Sequence, residues 1–211
     1  MNVSHDATAM HLPTTTGLDS RKMAIWAFIG SECLFFASLI STYMVYKGKS
    51  LTGPYPHAPW LNPATGETVK PILNIPLTSF STFVLLMSSF AVVLALYGAQ
   101  RGKRGMLIGW LSATMVGGAI FLGGQVYEFN HFVHEGLTLH QNLFGSTFFT
   151  LTGFHGGHVT VGLIWLGTVL VTAIRGKLPP EKALNLEIAA LYWHFVDVIW
   201  IVIFTLIYLI K

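Results

Sequence analysis

The sequence predicts an all-α fold, a polytopic membrane bundle of five transmembrane helices with its N-terminus inside and its C-terminus outside. Three observations carry this. Of 211 residues, 53% are hydrophobic and only 10% charged, where a soluble domain usually carries about 25% charged residues. Five stretches, about 23–46, 74–98, 105–128, 143–174 and 184–210, reach the roughly 20 apolar residues that a bilayer core of about 30 Å demands of a helix. The Lys and Arg side chains are also divided unequally between the two sides. Arg21, Lys22, Arg101, Lys103, Arg104, Arg175, Lys177 and Lys182 fall on one side, and Lys47, Lys49, Lys70 and Lys211 on the other. Eight against four sets the first group inside.

Residues 1–20 hold His5, Asp6, His11 and Asp19 without an apolar core segment, so they read as a cytoplasmic tail and not a secretory signal. Residues 21–211 form one five-helix domain. The single cysteine, Cys33, leaves no internal disulfide or cysteine metal cluster, and it reads as a small packing residue. The net charge of +3, carried in loops, is a topology signal and no footprint for nucleic acid. Between the first two spans, residues 47–71 carry Pro54, Pro56, Pro59, Pro63 and Pro71 with Gly53, Gly66 and Trp60. That is loop chemistry with an interfacial aromatic.

Lipid supplies no hydrophobic drive between helices, so small and polar residues must make the contacts. The second span offers Thr78, Ser81, Thr82, Ser88 and Ser89 on roughly one face. The third offers Gly105, Gly109, Gly117, Gly118, Gly123 and Gly124, of which the first two form a GxxxG pair. The fourth offers Gly153, Gly156, Gly157 and Gly162. Its length requires a tilt, or first turns at the interface. Trp193 and Trp200 share a face of the fifth span and read as packing or lipid contacts.

The candidate functional residues are the polar groups inside these spans. Glu32 is the tenth residue of its span, roughly 14 Å from the inner end at ~1.5 Å per residue, where a neutral, hydrogen-bonded carboxyl is the least costly state. The fifth span places Glu187, His194 and Asp197 on one stripe, the fourth places His155 and His158 three apart, and the third ends in Gln125 and Glu128. His131 and His134 lie just beyond it, at the outer surface. These residues fit three readings: a hydrogen-bonded core that fixes helix register, a proton path or proton-tuned site, or a metal or haem site built from His155, His158 and His194. No H-E-x-x-H or Cys-x-x-Cys pattern supports the last.

Four stretches, each on a different span, resemble subunit III of the haem-copper respiratory oxidases. "SECLFF" (31–36) resembles the family's S-E-x-L-F-F, and "QVYEF" (125–129) its Q-x-Y-E-[YF]. "STFFTLTGFHGGHV" (146–159) resembles S-x-F-F-x-x-T-G-x-H-G-x-H-V, and "YWHFVDVIWIVIFTLIYL" (192–209) is close to the ending W-H-F-V-D-V-V-W. The resemblance covers about residues 21–210. The mitochondrial type has seven helices, and this chain resembles the shorter bacterial form that lacks the first two. The second span reads "NIPLTSFSTFVLLMSS", departing from the Asn-Thr often found at its start.

The resemblance implies a subunit without redox centres or metal of its own, beside a catalytic subunit that holds haems and copper. The partners it implies are subunit I directly, subunit II and a small subunit IV, with bound phospholipid, in the bacterial plasma membrane. The complex would reduce oxygen to water, pump protons, and take electrons from cytochrome c or, alternatively, from quinol. Glu32 matches the family's carbodiimide-reactive carboxylate. The resemblance moves Gln125, Glu128, His155, His158, Glu187, His194 and Asp197 to a polar packing network, and away from a stand-alone haem or metal protein.

Overall fold

The computed structural model describes residues 19–51, 53–61, 66, 68–69, 71 and 73–210. The tail with His5, Asp6 and His11, together with Pro63, Lys70 and Lys211, lies outside the described residues. Five helices follow one another: α1 (Ser20–Tyr46), α2 (Ile75–Gln100), α3 (Arg104–His134), α4 (Leu143–Ile174) and α5 (Ala183–Phe204). All five are long and apolar enough to cross a membrane. A short 3-10 turn, Pro180–Lys182, leads into α5, and a π-helical turn, Thr205–Leu209, continues it.

The ends of the helices have local causes. The side chains of Asp19, Asn74 and Asn142 accept the backbone N–H of Arg21, Leu77 and Gly145 at 2.9, 3.3 and 2.6 Å, filling an orphan donor of α1, α2 and α4 in turn. Asn74 thus begins α2 by capping it, although the second span departs from the family pattern. At the other ends, α2, α3 and α4 stop in one way. Gly102, Gly136 and Gly176 take φ of 67, 86 and 70°, a left-handed conformation costly for any residue with a Cβ. Each glycine N–H and the N–H after it return to carbonyls of the last turn, for example Gly136 to Val133 and Leu137 to Phe132 at 3.1 and 2.8 Å. This is the Schellman closure.

Three expectations change. The loop between α1 and α2 contains a small antiparallel hairpin, β1 (Trp60–Leu61) with β2 (Thr68–Val69), pairing Trp60 with Val69. Helix α3 runs on to His134, so His131 and His134 stand exposed in its last turn. The Gly105–Gly109 pair is no helix contact: a Cβ at either would meet nothing within 4 Å. The buried stripe of α3 passes through Leu107, Leu111, Thr114, Gly117, Gly118 and Phe121, which sets Gly105 and Gly109 on the opposite face.

Helix α5 packs against α1, α2 and α4, while α3 packs against α2 and α4 and α1 against α4. Trp193 is the central knob. A Cβ at Gly118 of α3 would meet its ring at 2.6 Å, and one at Gly162 of α4 at 2.9 Å. The two glycines therefore form the slot that holds the indole. Gly117 brings α3 against α2, where its Cβ would reach Ser88 Cβ at 2.8 Å. The Ser/Thr stripe of α2 is buried as its spacing requires. Two of its hydroxyls accept indole N–H groups of α5: Trp193 to Ser88 at 3.2 Å and Trp200 to Thr82 at 2.9 Å. Both tryptophans are core residues, 1% and 2% exposed, and not lipid contacts.

Candidate functional site

The polar groups inside the bundle form several separate junctions, each tying two or three helices. Glu32 is the thirteenth of the 27 residues of α1. Its Oε2 lies 3.1 Å from His158 Nε2 on α4, with both side chains about one-fifth exposed. His158 Nδ1 faces the Phe154 carbonyl at 2.8 Å. A carbonyl only accepts, so Nδ1 carries a hydrogen. The contact between Glu32 and Nε2 then requires one further proton, held on either the carboxyl or the ring. The pair is walled by Phe36, whose ring centroid lies 4.9 Å from that of His158. Tyr192 of α5 donates to the His158 carbonyl at 3.2 Å.

His155, one helical turn earlier on α4, is fully buried. Its Nε2 donates to the Val196 carbonyl of α5 at 3.2 Å, which fixes the tautomer and leaves Nδ1 without a partner among the described residues. The ring packs between Trp200 and Phe121, at centroid distances of 4.8 and 5.8 Å. Gln125 of α3 donates from Nε2 to the Thr152 carbonyl at 2.7 Å. The same side chain lies against Gly156, where a Cβ would meet its Oε1 at 2.7 Å.

Glu128, 6% exposed, joins three helices. It accepts from the Thr78 hydroxyl of α2, and from Tyr208 OH in the π-helical turn at 3.4 Å. His194 Nδ1 lies 2.6 Å from the Ser89 hydroxyl of α2, and Asp197, three residues on in α5, is buried.

Glu187 does not join them. It pairs with Lys22 at 2.6 Å, at the half-exposed end where α1 and α5 begin. Its stripe with His194 and Asp197 holds in register, but the stripe spans nearly three turns and its first member sits at the bundle's end. The three histidines are not brought together either. His155 turns to α5, His158 to α1 and His194 to α2. Among the described residues, no three of His, Cys, Asp and Glu converge in a metal-holding group.

Two basic residues act in ways the sequence did not announce. Lys47, just past α1, donates to the carbonyls of Leu206 and Ile210 at 3.1 and 2.6 Å, and partial burial lowers its pKa from the ordinary lysine value. Arg104 donates to the Ile174 carbonyl at the end of α4. Both meet the orphan acceptors of a helix C-terminus, a favourable place for a cation. A lysine just past one helix, at the depth where another ends, was the available sign.

With this geometry in view, the comparisons are decisive. The family model described as cytochrome c oxidase subunit III matches residues 2–211. The chain belongs to the cytochrome c oxidase subunit III family. Curated members of this family are similar over nearly the whole chain. A probable quinol oxidase subunit 3 of Staphylococcus saprophyticus is 34% identical over 208 residues, covering 99% of this chain and 97% of that one. Bacillus subtilis supplies two relatives, each 36% identical. Its cytochrome c oxidase subunit 3 covers 89% of this chain and 84% of its own length, and its quinol oxidase subunit 3 covers 89% and 85%. As a member of the subunit III family with five spanning helices, the chain is a multi-pass bacterial membrane protein and part of a multi-subunit oxidoreductase.

Proposed function

We propose that this chain is the non-redox subunit III of a proton-pumping haem-copper oxidase that reduces oxygen to water with electrons from cytochrome c. The observation that carries the non-redox assignment is the dispersal of the mid-span histidines. Each is held by a different helix, an arrangement suited to fixing helix register and unsuited to ligating one metal. The haems and copper then belong to the partner subunit I, with subunits II and IV completing the complex. The chain braces that catalytic subunit, and Glu32 with His158 biases proton uptake indirectly through the proton they share. One acyl chain of a phospholipid suits the groove of about 570 Å³ between α1, α4 and α5, lined by Phe28, Trp165 and Ile188 together with Arg21 and Asn185. The basic cluster of Arg21, Lys22, Arg104 and Arg175 supports an N-inside orientation.

A quinol donor is the second reading. It is favoured by the Staphylococcus relative, whose similarity spans 99% of this chain. The two Bacillus subtilis relatives are equally similar, so this subunit does not carry the distinction. Purifying the complex through this chain tests both readings. The expected result is co-elution of a haem-bearing subunit that oxidises reduced cytochrome c with oxygen uptake. Oxidation of a quinol alone replaces the donor. A haem or stoichiometric metal on this chain by itself overturns the non-redox assignment.

A further inference from the structure

His194 is half-buried, and its Nδ1 is engaged by Ser89 at 2.6 Å. Among the described residues no hydrogen bond reaches its other nitrogen, Nε2, and that nitrogen is not among the buried polar atoms left without a partner. Nε2 therefore opens onto the outside of the bundle. It does so at mid-span, since His194 is the twelfth of the 22 residues of α5. Acyl chains offer an imidazole nitrogen no hydrogen bond, and an unsatisfied polar group in hydrocarbon is strongly disfavoured.

The other outward polar groups near this depth are provided for within the chain. The hydroxyls of Ser31, Ser38, Thr160 and Thr168 return to carbonyls of their own helices. His158 has both nitrogens engaged.

Behind His194 the chain of polar groups continues inward. Asp197, three residues on in α5, is 5% exposed, and among the described residues its Oδ1 has no partner. The hydroxyl and imidazole can relay a hydrogen-bond direction. If Ser89 accepts from Nδ1–H, Nε2 is a bare acceptor. If Ser89 donates to Nδ1, Nε2 carries the hydrogen and is a donor. The matching partner must serve either case, and a side-chain hydroxyl or amide does so. Val198 and Val202, exposed on α5, extend the same apolar flank one and two turns on.

We infer that this flank of α5, centred on His194 Nε2, docks a transmembrane helix of the haem-bearing partner subunit that presents a hydroxyl or amide side chain at mid-membrane. The inference rests on the chain being an oxidase subunit.

The test is site-specific photo-cross-linking in the assembled oxidase, with a benzophenone side chain replacing Val198 on this flank, and Ile120 on α3 and Ile164 on α4 as comparison sites. The expected result is a covalent adduct with the haem-bearing polypeptide from position 198, in at least tenfold excess over positions 120 and 164. His194→Leu should also raise the fraction of haem subunit lost on detergent washing several-fold, while His194→Gln, which restores a donor and acceptor, holds it. A position-198 adduct with lipid alone, or with a second copy of this chain, overturns the proposal even when the haem subunit co-purifies. If no haem subunit co-purifies, the oxidase reading itself fails.

Discussion

Glu32 on α1 and His158 on α4 meet at 3.1 Å, near the middle of two helices separated by 126 positions in sequence. Neither has a second side-chain partner among the described hydrogen bonds, so each is the other's means of residing in hydrocarbon. A double-mutant cycle should therefore show coupling. Glu32→Ala and His158→Ala each destabilise the purified subunit, and the double variant costs less than their sum by roughly 1 kcal/mol, the scale of interhelical hydrogen bonds in membranes. Thermal denaturation in detergent measures it, and strict additivity would remove the pair from the account.

The same pair bears on turnover. Glu32→Gln preserves size and one hydrogen bond but cannot hold the exchangeable carboxyl proton. If the shared proton biases uptake, the Gln variant should show lower proton pumping or faster inactivation during turnover than wild type, with its thermal stability retained. Full pumping and an unchanged lifetime would leave Glu32 as a register-fixing residue only.

Trp193 predicts which glycines matter. Gly118→Leu or Gly162→Leu would drive a side chain into the indole, at positions where even a Cβ meets it at 2.6 and 2.9 Å. Loss of the folded, monodisperse subunit in size-exclusion chromatography is expected for both. Gly109→Leu, on the open face, should elute as wild type. Trp193→Ala leaves a cavity and should cost about 3 kcal/mol.

The Glu128 junction joins α2, α3 and the π-helical turn. Tyr208→Phe removes one of its two side-chain donors and should cost about 1 kcal/mol. Thr78→Val removes the other. Glu128→Leu should be milder than the Tyr208→Phe, Thr78→Val double variant, because it does not leave a carboxyl buried without donors. Equal melting temperatures for Glu128→Leu and the double variant would contradict this.

Gly136→Ala forces a Cβ into a backbone with φ of 86° and should destabilise by about 1 kcal/mol. Gly105→Ala, inside a helix, should be neutral or stabilising. Parallel melting curves settle the comparison.

Most of the architecture was legible because apolar length alone specifies a spanning helix. All five spans appeared in order, and α4 at the same bounds, Leu143–Ile174. The stops at Gly102, Gly136 and Gly176 were written in the sequence too, but as single glycines just beyond long apolar runs they are easily passed over. The candidate junctions were less legible. Spacing places Glu187, His194 and Asp197 on one stripe, yet it cannot say that Glu187 lies at the level of Lys22 or that His194 faces α2. Those facts depend on how the helices are arranged around one another, which one helix's periodicity does not contain. For the same reason the Gly105–Gly109 pair looked like a contact and proved to face outward.

The slot between Gly118 and Gly162 has a consequence for biogenesis. Ribosomes deliver α5 last, so α3 and α4 enter the bilayer before the indole that separates them exists. Until Trp193 arrives, the slot between Gly118 and Gly162 has no indole to fill it. A chain truncated before α5 would lack both the ring that fills that slot and the indole N–H that reaches Ser88 on α2.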